Sequence, residues 1–219
     1  FRSTLKIDRE IVRLTKKKHP NFLFIPTASS DSEQYSENIG KHYKKLGCKT
    51  DVLYLLNNKN KKETKTKINK ANIIYVGGGN TLKMMRRWRF LGVDTLLKKA
   101  WKKGTVLCGL SAGSICWYDS GHSDSMAYYQ KKWKYINVKG LGLIKGIHCP
   151  HYDSATKGVP RKKDFQKMIK KIGGTGIAIE NSCAIAYINN TTKVIQGKKT
   201  AKAFTIYKKN GKVVEEPIE

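Results

Sequence analysis

Residues 105–117 read Thr105-Val106-Leu107-Cys108-Gly109-Leu110-Ser111-Ala112-Gly113-Ser114-Ile115-Cys116-Trp117. The apolar run 106–110 has the length and content of a buried strand, and 112–117 continues as a helix. Between them Gly109-Leu110-Ser111-Ala112-Gly113 has the spacing G-x-S-x-G of a nucleophile elbow. A sharp strand-to-helix turn drives its central residue into strained backbone angles, and flanking glycines remove the side chains that would collide there. Ser111 Oγ then stands beyond the end of the strand, beside backbone amides that favour developing negative charge. A Gly/Ser-rich turn without chemistry has the same composition. The order strand, motif, helix favours the catalytic reading.

On the N-terminal side of this stretch, strand and helix patterns alternate. Helical spacing covers 6–17, with Ile7, Ile11, Val12 and Leu14 on one face, and a strand at 21–26 is stopped by Pro26. A polar loop at 27–32 carries good N-caps for a helix at 33–46, followed by a strand at 51–55, a charged helix at 59–70 and a strand at 71–76. Helices near 82–88 and 93–102 lead into the elbow strand. This alternation predicts an α/β fold with a mainly parallel central sheet and helices on both faces.

On the C-terminal side the pattern loosens. Residues 118–137 are polar and aromatic without a period and read as an extended loop or distorted helix; 138–147 is Gly-interrupted strand material. A helix at 161–172 sets Phe165, Met168 and Ile169 on one side. A short-stranded C-terminal β region follows, at 177–179, 183–188, 193–195 and 203–207, with Asn210-Gly211 as a hairpin signal before 212–214. No repeat or linker divides the chain, so 1–219 reads as a single α/β domain.

The net charge of +28 raises the question of nucleic acid, but 37 lysines against 7 arginines are scattered through every predicted helix. That distribution reads as a solvated lysine surface and not as a specific nucleic-acid site. It would still draw acidic substrates at long range. No apolar run approaches the ~20 residues of a spanning helix, so no membrane partner is expected. Five cysteines, widely spaced and without a C-x-x-C pair, give no zinc site or disulfide framework. They read as free thiols of a reducing, cytoplasmic setting. No signal-peptide pattern is present, though the sequence begins at Phe1 and not at Met.

A serine nucleophile needs a base, an orienting acid and an oxyanion hole. The elbow supplies the Ala112 amide. Gly77-Gly78-Gly79-Asn80-Thr81 follows a strand and opens a helix, and consecutive glycines let N–H groups converge on a ligand oxygen. Neither G-x-G-x-x-G nor the Walker pattern is present to suggest a phosphate loop instead. Of five histidines, His19 and His42 lie among lysines on helical surface. His122, in Gly121-His122-Ser123-Asp124-Ser125, competes as base with His148 and His151, which flank Cys149-Pro150 at a strand end. The proline turn lifts His151 out of the packing, which favours it over His148. The acid stays open among Asp119, Asp124, Asp153 and Glu180, whereas Asp164 reads as an exposed helical carboxylate. Glu180 lies at a strand's C-terminal edge, where open α/β sheets place site residues.

Three ordered segments, Val76-Gly77-Gly78-Gly79-Asn80-Thr81, Gly109-Leu110-Ser111-Ala112-Gly113-Ser114 and Cys149-Pro150-His151-Tyr152, resemble the serine peptidases that include dipeptidase E (aspartyl dipeptidase) and cyanophycinase. The resemblance runs from about Phe22 to Ile195, with details most similar to an uncharacterised bacterial branch. It implies a class I glutamine amidotransferase-like (flavodoxin-like) fold whose usual first strand would lie ahead of Phe1. It also implies a Ser111–His151–Glu180 triad and oxyanion donors at Gly79 and Ala112, with no metal or organic cofactor. Gly78 and Asn80 are taken as substrate-binding. Arg161 falls near the arginine that holds the substrate's aspartate carboxylate in dipeptidase E, at a shorter spacing from the histidine. The expected activity is a serine-type small-peptide peptidase; an esterase or amidase of the same fold and a non-catalytic binding domain are the alternatives. The expected partner is a small peptide or acyl substrate, and a homodimer stays open.

Overall fold

The computed structural model describes residues 3–57, 60–189 and 191–219. The chain gathers into two compact units: an elbow unit, Asp8–Cys116, and a histidine unit made of Trp117–Glu219 with the residues before Asp8.

The elbow unit holds four strands, β1 (Asn21–Ile25), β2 (Lys49–Val52), β3 (Ile73–Val76) and β4 (Val106–Gly109), all parallel in the order β2-β1-β3-β4. Its helices are α1 (Leu5–Leu14, counted in this unit from Asp8 on), α2 (Glu33–Lys45), α3 (Lys61–Lys70), α4 (Thr81–Leu91), α5 (Val93–Lys102) and the single turn α6 (Ala112–Ile115). Lys59, placed in the third helix by the sequence pattern, lies outside the described residues. Successive side chains of a strand point to opposite faces. Phe22 and Phe24 of β1 pack with Ile39 and Tyr43 of α2 and with Ile11 and Val12 of α1. Leu23 and Ile25, on the other face, are equally buried. Both faces of the sheet are therefore covered, the condition under which parallel sheets occur. Helix starts follow the capping rule: side-chain oxygens of Ser32, Asn60 and Asn80 accept from the N–H of Tyr35, Glu63 and Lys83. His42 is not the solvated histidine that its lysine neighbours suggest. Its Nε2 lies 3.0 Å from the buried Asp8 carboxylate, which also accepts from Tyr43 Oη at 2.9 Å.

The histidine unit is built on a six-stranded mixed sheet. Its strands are β5 (Tyr118–Ser123), β6 (Ile136–Lys139), β7 (Ile144–Pro150), β10 (Gly176–Ile179), β13 (Ala203–Lys209) and β14 (Lys212–Pro217), in the order β14-β13-β10-β7-β5-β6. The central trio β5, β7 and β10 is parallel, and the flanking strands are antiparallel. A two-residue ladder of β8 (Ala155–Thr156) and β9 (Val159–Pro160) precedes α7 (Arg161–Ile172), and β11 (Cys183–Ile188) pairs with β12 (Thr191–Gln196) apart from the main sheet. Phe165 and Ile169 of α7 close over Cys149, Ala178 and Ile206. Asn210 and Gly211 take φ of 50° and 78°, the paired left-handed conformation of a two-residue hairpin.

Segment 118–137 departs from the expectation of a loop or distorted helix: it holds β5, a short turn at Ser125–Tyr128 and the start of β6. The reason is polar burial. His122 and Ser123 are buried in β5, where His122 Nε2 meets Asp164 Oδ1 at 2.9 Å and Ser123 Oγ meets Ser125 Oγ at 2.8 Å. A strand whose buried residues are satisfied polar groups shows no hydrophobic alternation. All five cysteines are unpaired thiols. Among the described residues, no helix is long and apolar enough to cross a membrane.

Candidate active site

In the elbow unit β4 runs parallel beside β3, with Gly109 opposite Val76, and the chain reverses at once into α6. The reversal is so tight that a Cβ on Gly113 would strike the Val76 carbonyl, and one on Gly109 would strike the Gly113 carbonyl. The two glycines of the motif are thus required by close backbone approach. Ser111 between them has φ 54° and ψ −117°, sparsely populated for a residue with a side chain and costing about 1–3 kcal/mol. Its carbonyl is held by the N–H groups of Ser114 and Ile115, both at 3.0 Å, and by Ser114 Oγ at 2.7 Å. Among the described residues of this unit the Ser111 hydroxyl makes no hydrogen bond.

The glycine loop lies directly against the elbow. A Cβ placed on Gly78 would come 3.3 Å from Ser111 Cβ and 3.0 Å from Leu110 Cδ1. Gly79, at φ 134°, passes so close to the Ala28 carbonyl that no other residue fits. Among the described residues of the unit the N–H groups of Gly79 and Ala112 have no acceptor, while Gly77 and Asn80 N–H are spent on Ile25 and Ala28 carbonyls at 3.1 and 2.8 Å. Two uncommitted donors beside a partly buried serine are what an oxyanion hole requires. Asn80, expected at the substrate, is 4% exposed and caps α4 through its side-chain oxygen at 3.0 Å from Lys83 N. That burial is the physical reason to give it a structural role.

In the histidine unit, β7 and β10 are parallel neighbours, with Pro150 opposite Ile179, so the residues after each strand emerge together. His151 follows with φ 54°, its carbonyl taken by Ser154 N–H at 2.9 Å. Its Nδ1 lies 2.7 Å from Asn181 Oδ1. Asn181 Nδ2 in turn donates to Asp153 Oδ1 at 2.8 Å and to Ser154 Oγ at 2.7 Å. Glu180, the acid implied by the resemblance, is adjacent in sequence but turned elsewhere. Its Oε2 accepts from Lys202 N–H at 2.8 Å, its own N–H donates to the Lys202 carbonyl at 3.0 Å, and it makes no hydrogen bond to His151. The structure therefore brings Asn181, not Glu180, onto the imidazole. Sequence reasoning assigned Asn181 no role; the signal that marks it is its position just past a strand edge.

The competing histidines are occupied. His148 is 1% exposed, donates from Nδ1 to the Ile177 carbonyl at 2.9 Å and stacks on Tyr118; burial lowers its pKa to about 4. His122 is enclosed between the Asp164 carboxylate, the Tyr135 ring and Cys149 Sγ, and burial holds it below the ordinary imidazole range against the opposing pull of Asp164. Asp164 is accordingly no free surface carboxylate. Burial likewise pushes the Cys149 thiol up and makes it a poor nucleophile. Arg161, expected at a substrate carboxylate, is 3% exposed and already carries an internal one: Nη2 lies 2.6 Å from Asp124 Oδ2 and 3.1 Å from Thr156 Oγ1. The same pairing removes Asp124 as the acid beside His151.

The profile of peptidase family S51 matches residues 2–195. An uncharacterized peptidase of Bacillus subtilis (strain 168) is 31% identical over 216 residues, covering 98% of this chain and 90% of its own. The peptidase E of Nostoc sp. (strain PCC 7120) is 27% identical over 214 residues, covering 87% and 84%. Among solved structures, a peptidase from an acI-B1 Actinobacterium superposes with a TM-score of 0.74 at 20% identity, over 99% of this chain and 88% of that one, which speaks for the fold. With the family profile spanning the elbow, the glycine loop and the Pro150-His151 turn, the chain belongs to peptidase family S51.

Proposed function

We propose that the chain is a serine peptidase acting on small peptides, with Ser111 as nucleophile and His151 as general base. Ser111 Oγ attacks the scissile carbonyl as its proton passes to His151 Nε2. The oxyanion is held by the N–H groups of Gly79 and Ala112, and the same proton then goes to the leaving amine, so that an acyl-enzyme and a free amine result. Water, deprotonated by the same imidazole, releases the acid and restores the serine. Glu180, with its carboxylate on Lys202, takes no step here. A preference for acidic side chains through Arg161 is not part of the proposal, because that guanidinium is buried against Asp124.

One observation carries the reading: Ser111 is held at φ 54° and ψ −117° with Gly78 packed against its Cβ. Strain of this kind survives only where surrounding structure imposes it, and it tends to collect at functional sites. The test is hydrolysis of a dipeptide library by the wild type and by Ser111→Ala, with labelling by a serine-directed phosphonate. The variant should fold, resist labelling and lose activity by a factor on the order of 10³ or more. Turnover of the library at the wild-type rate by Ser111→Ala refutes the proposal.

A further inference from the structure

We propose that Asn181, clamped by Asp153 and Ser154, positions His151 and fixes its tautomer; this rests on the reading of His151 as the base. A carboxylate oxygen accepts and does not donate, and Asp153 Oδ1 receives two bonds from one residue: Asn181 main-chain N–H at 2.9 Å and side-chain Nδ2 at 2.8 Å. The second Nδ2 hydrogen goes to Ser154 Oγ at 2.7 Å. Turning the amide over would set its oxygen against the carboxylate, so its orientation is determined chemically.

Oδ1 must then face His151, 2.7 Å from Nδ1, and an amide oxygen there only accepts. The neutral ring is therefore held with its proton on Nδ1 and its lone pair on Nε2, the form a general base needs. When Nε2 takes a proton, Nδ1–H keeps the same acceptor, so the ring does not reorient between steps. The backbone cooperates: Ser154 N–H holds the His151 carbonyl at 2.9 Å, so the residue that anchors Asn181 also anchors the turn bearing the imidazole. Unlike a carboxylate, the amide orients the ring through a dipole and leaves the imidazolium without a full countercharge.

That difference makes the assignment testable apart from a structural role. Asn181→Ala should lower kcat by about 10- to 100-fold with KM changed less than about twofold, the expected cost of a misplaced base. Asn181→Asp alone would set two carboxylates together, so the paired variant Asn181→Asp/Asp153→Asn, which keeps a donor at that contact, should recover most of the rate and move the acidic limb of kcat/KM upward by about one pH unit, since a carboxylate favours the protonated ring. Glu180→Gln should leave both rate and limb in place. Heteronuclear NMR of histidine-labelled protein should show His151 as the Nδ1–H tautomer in the wild type and as a mixture dominated by Nε2–H in Asn181→Ala. An Nε2–H signal in the wild type overturns the proposal whatever the activity. So does a shift of the acidic limb in Glu180→Gln with none in Asn181→Asp/Asp153→Asn. Ser111→Ala and His151→Ala run in parallel: if both abolish turnover while Asn181→Ala keeps the wild-type kcat, the positioning role fails and the hydrolase reading stands.

Discussion

Replacing Arg161 with methionine should loosen the histidine unit more than it changes substrate choice. The guanidinium is 3% exposed, bonded through Nη2 to Asp124 and Thr156, and its carbon lies 5.1 Å from the centroid of the Tyr135 ring. Removing one partner of a buried ion pair costs about 3–5 kcal/mol, and the lost cation–π contact adds about 1 kcal/mol. Two features reduce the sum. Asp124 keeps 20% side-chain exposure and its bond from Thr156 Oγ1 at 2.9 Å, so the stranded carboxylate is partly solvated. Arg161 Nη1 is buried without a partner, and its removal relieves a penalty of about 1–3 kcal/mol. The net expectation is a loss of about 2–3 kcal/mol. Asp124→Asn leaves the cation buried against an amide and lacks the second relief, so it should cost more. The double variant Arg161→Met/Asp124→Asn should cost clearly less than the two singles together. Urea unfolding at constant m-value measures all three, and kcat/KM on Asp- and Asn-containing dipeptides is read alongside. If Arg161→Met stays within about 0.5 kcal/mol of the wild type while a preference for acidic peptides vanishes, the side chain is a substrate selector and this reasoning is wrong.

Two further outcomes follow from the same structure. Gly113→Ala should destabilise by about 3 kcal/mol, because its Cβ meets the Val76 carbonyl and sits 2.9 Å from Val76 Cβ, whereas Gly104→Ala, with open space but φ 85°, should cost only about 1 kcal/mol; thermal melts separate them. His148, with its pKa lowered to about 4 by burial, charges in the unfolded chain before it charges in the native one. Stability should therefore be unaffected above about pH 6.5 and fall as pH drops toward 4, by up to about 3 kcal/mol. His148→Asn, which can keep a donor toward Ile177, should reduce that slope in pH-dependent urea titrations to the part left by His122, which burial also holds low; an unchanged slope counts against His148.

What the chain reveals before folding depends on how each feature is encoded. β1 is legible because Asn21–Ile25 is apolar on both faces, and α7 because its pattern runs from Arg161 to Ile172 without interruption. β2 is shifted, Lys49–Val52 and not 51–55, because Leu53 and Leu55 are buried beyond the strand and mimic its continuation. β5 is hidden for the opposite reason: the chemistry that buries His122 lies 42 residues away in Asp164. The pairings Arg161–Asp124 and Asn181–Asp153 are equally remote in sequence, and nothing local separates such a residue from a surface polar one.

The two proposed chemical groups show the same asymmetry in their backbones. Ser111 and His151 both take φ 54°, each just past the end of a parallel strand, and both have their carbonyls held by the turn that follows. Holding such a residue costs about 1–3 kcal/mol, and the surrounding hydrogen bonds must impose it. At Ser111 the tight reversal also forces backbone against backbone, which demands glycine at 109 and 113 and so writes the strain into the sequence. At His151 the neighbours are Pro150 and Tyr152, and the strain is imposed by Tyr152 N–H on the Ile179 carbonyl at 3.0 Å, a bond between strand ends that leaves no mark in local composition. The strain at the proposed nucleophile is therefore readable as a motif, whereas that at the proposed base, and the Asn181 amide bonded to it, become visible only when β7 and β10 are laid side by side.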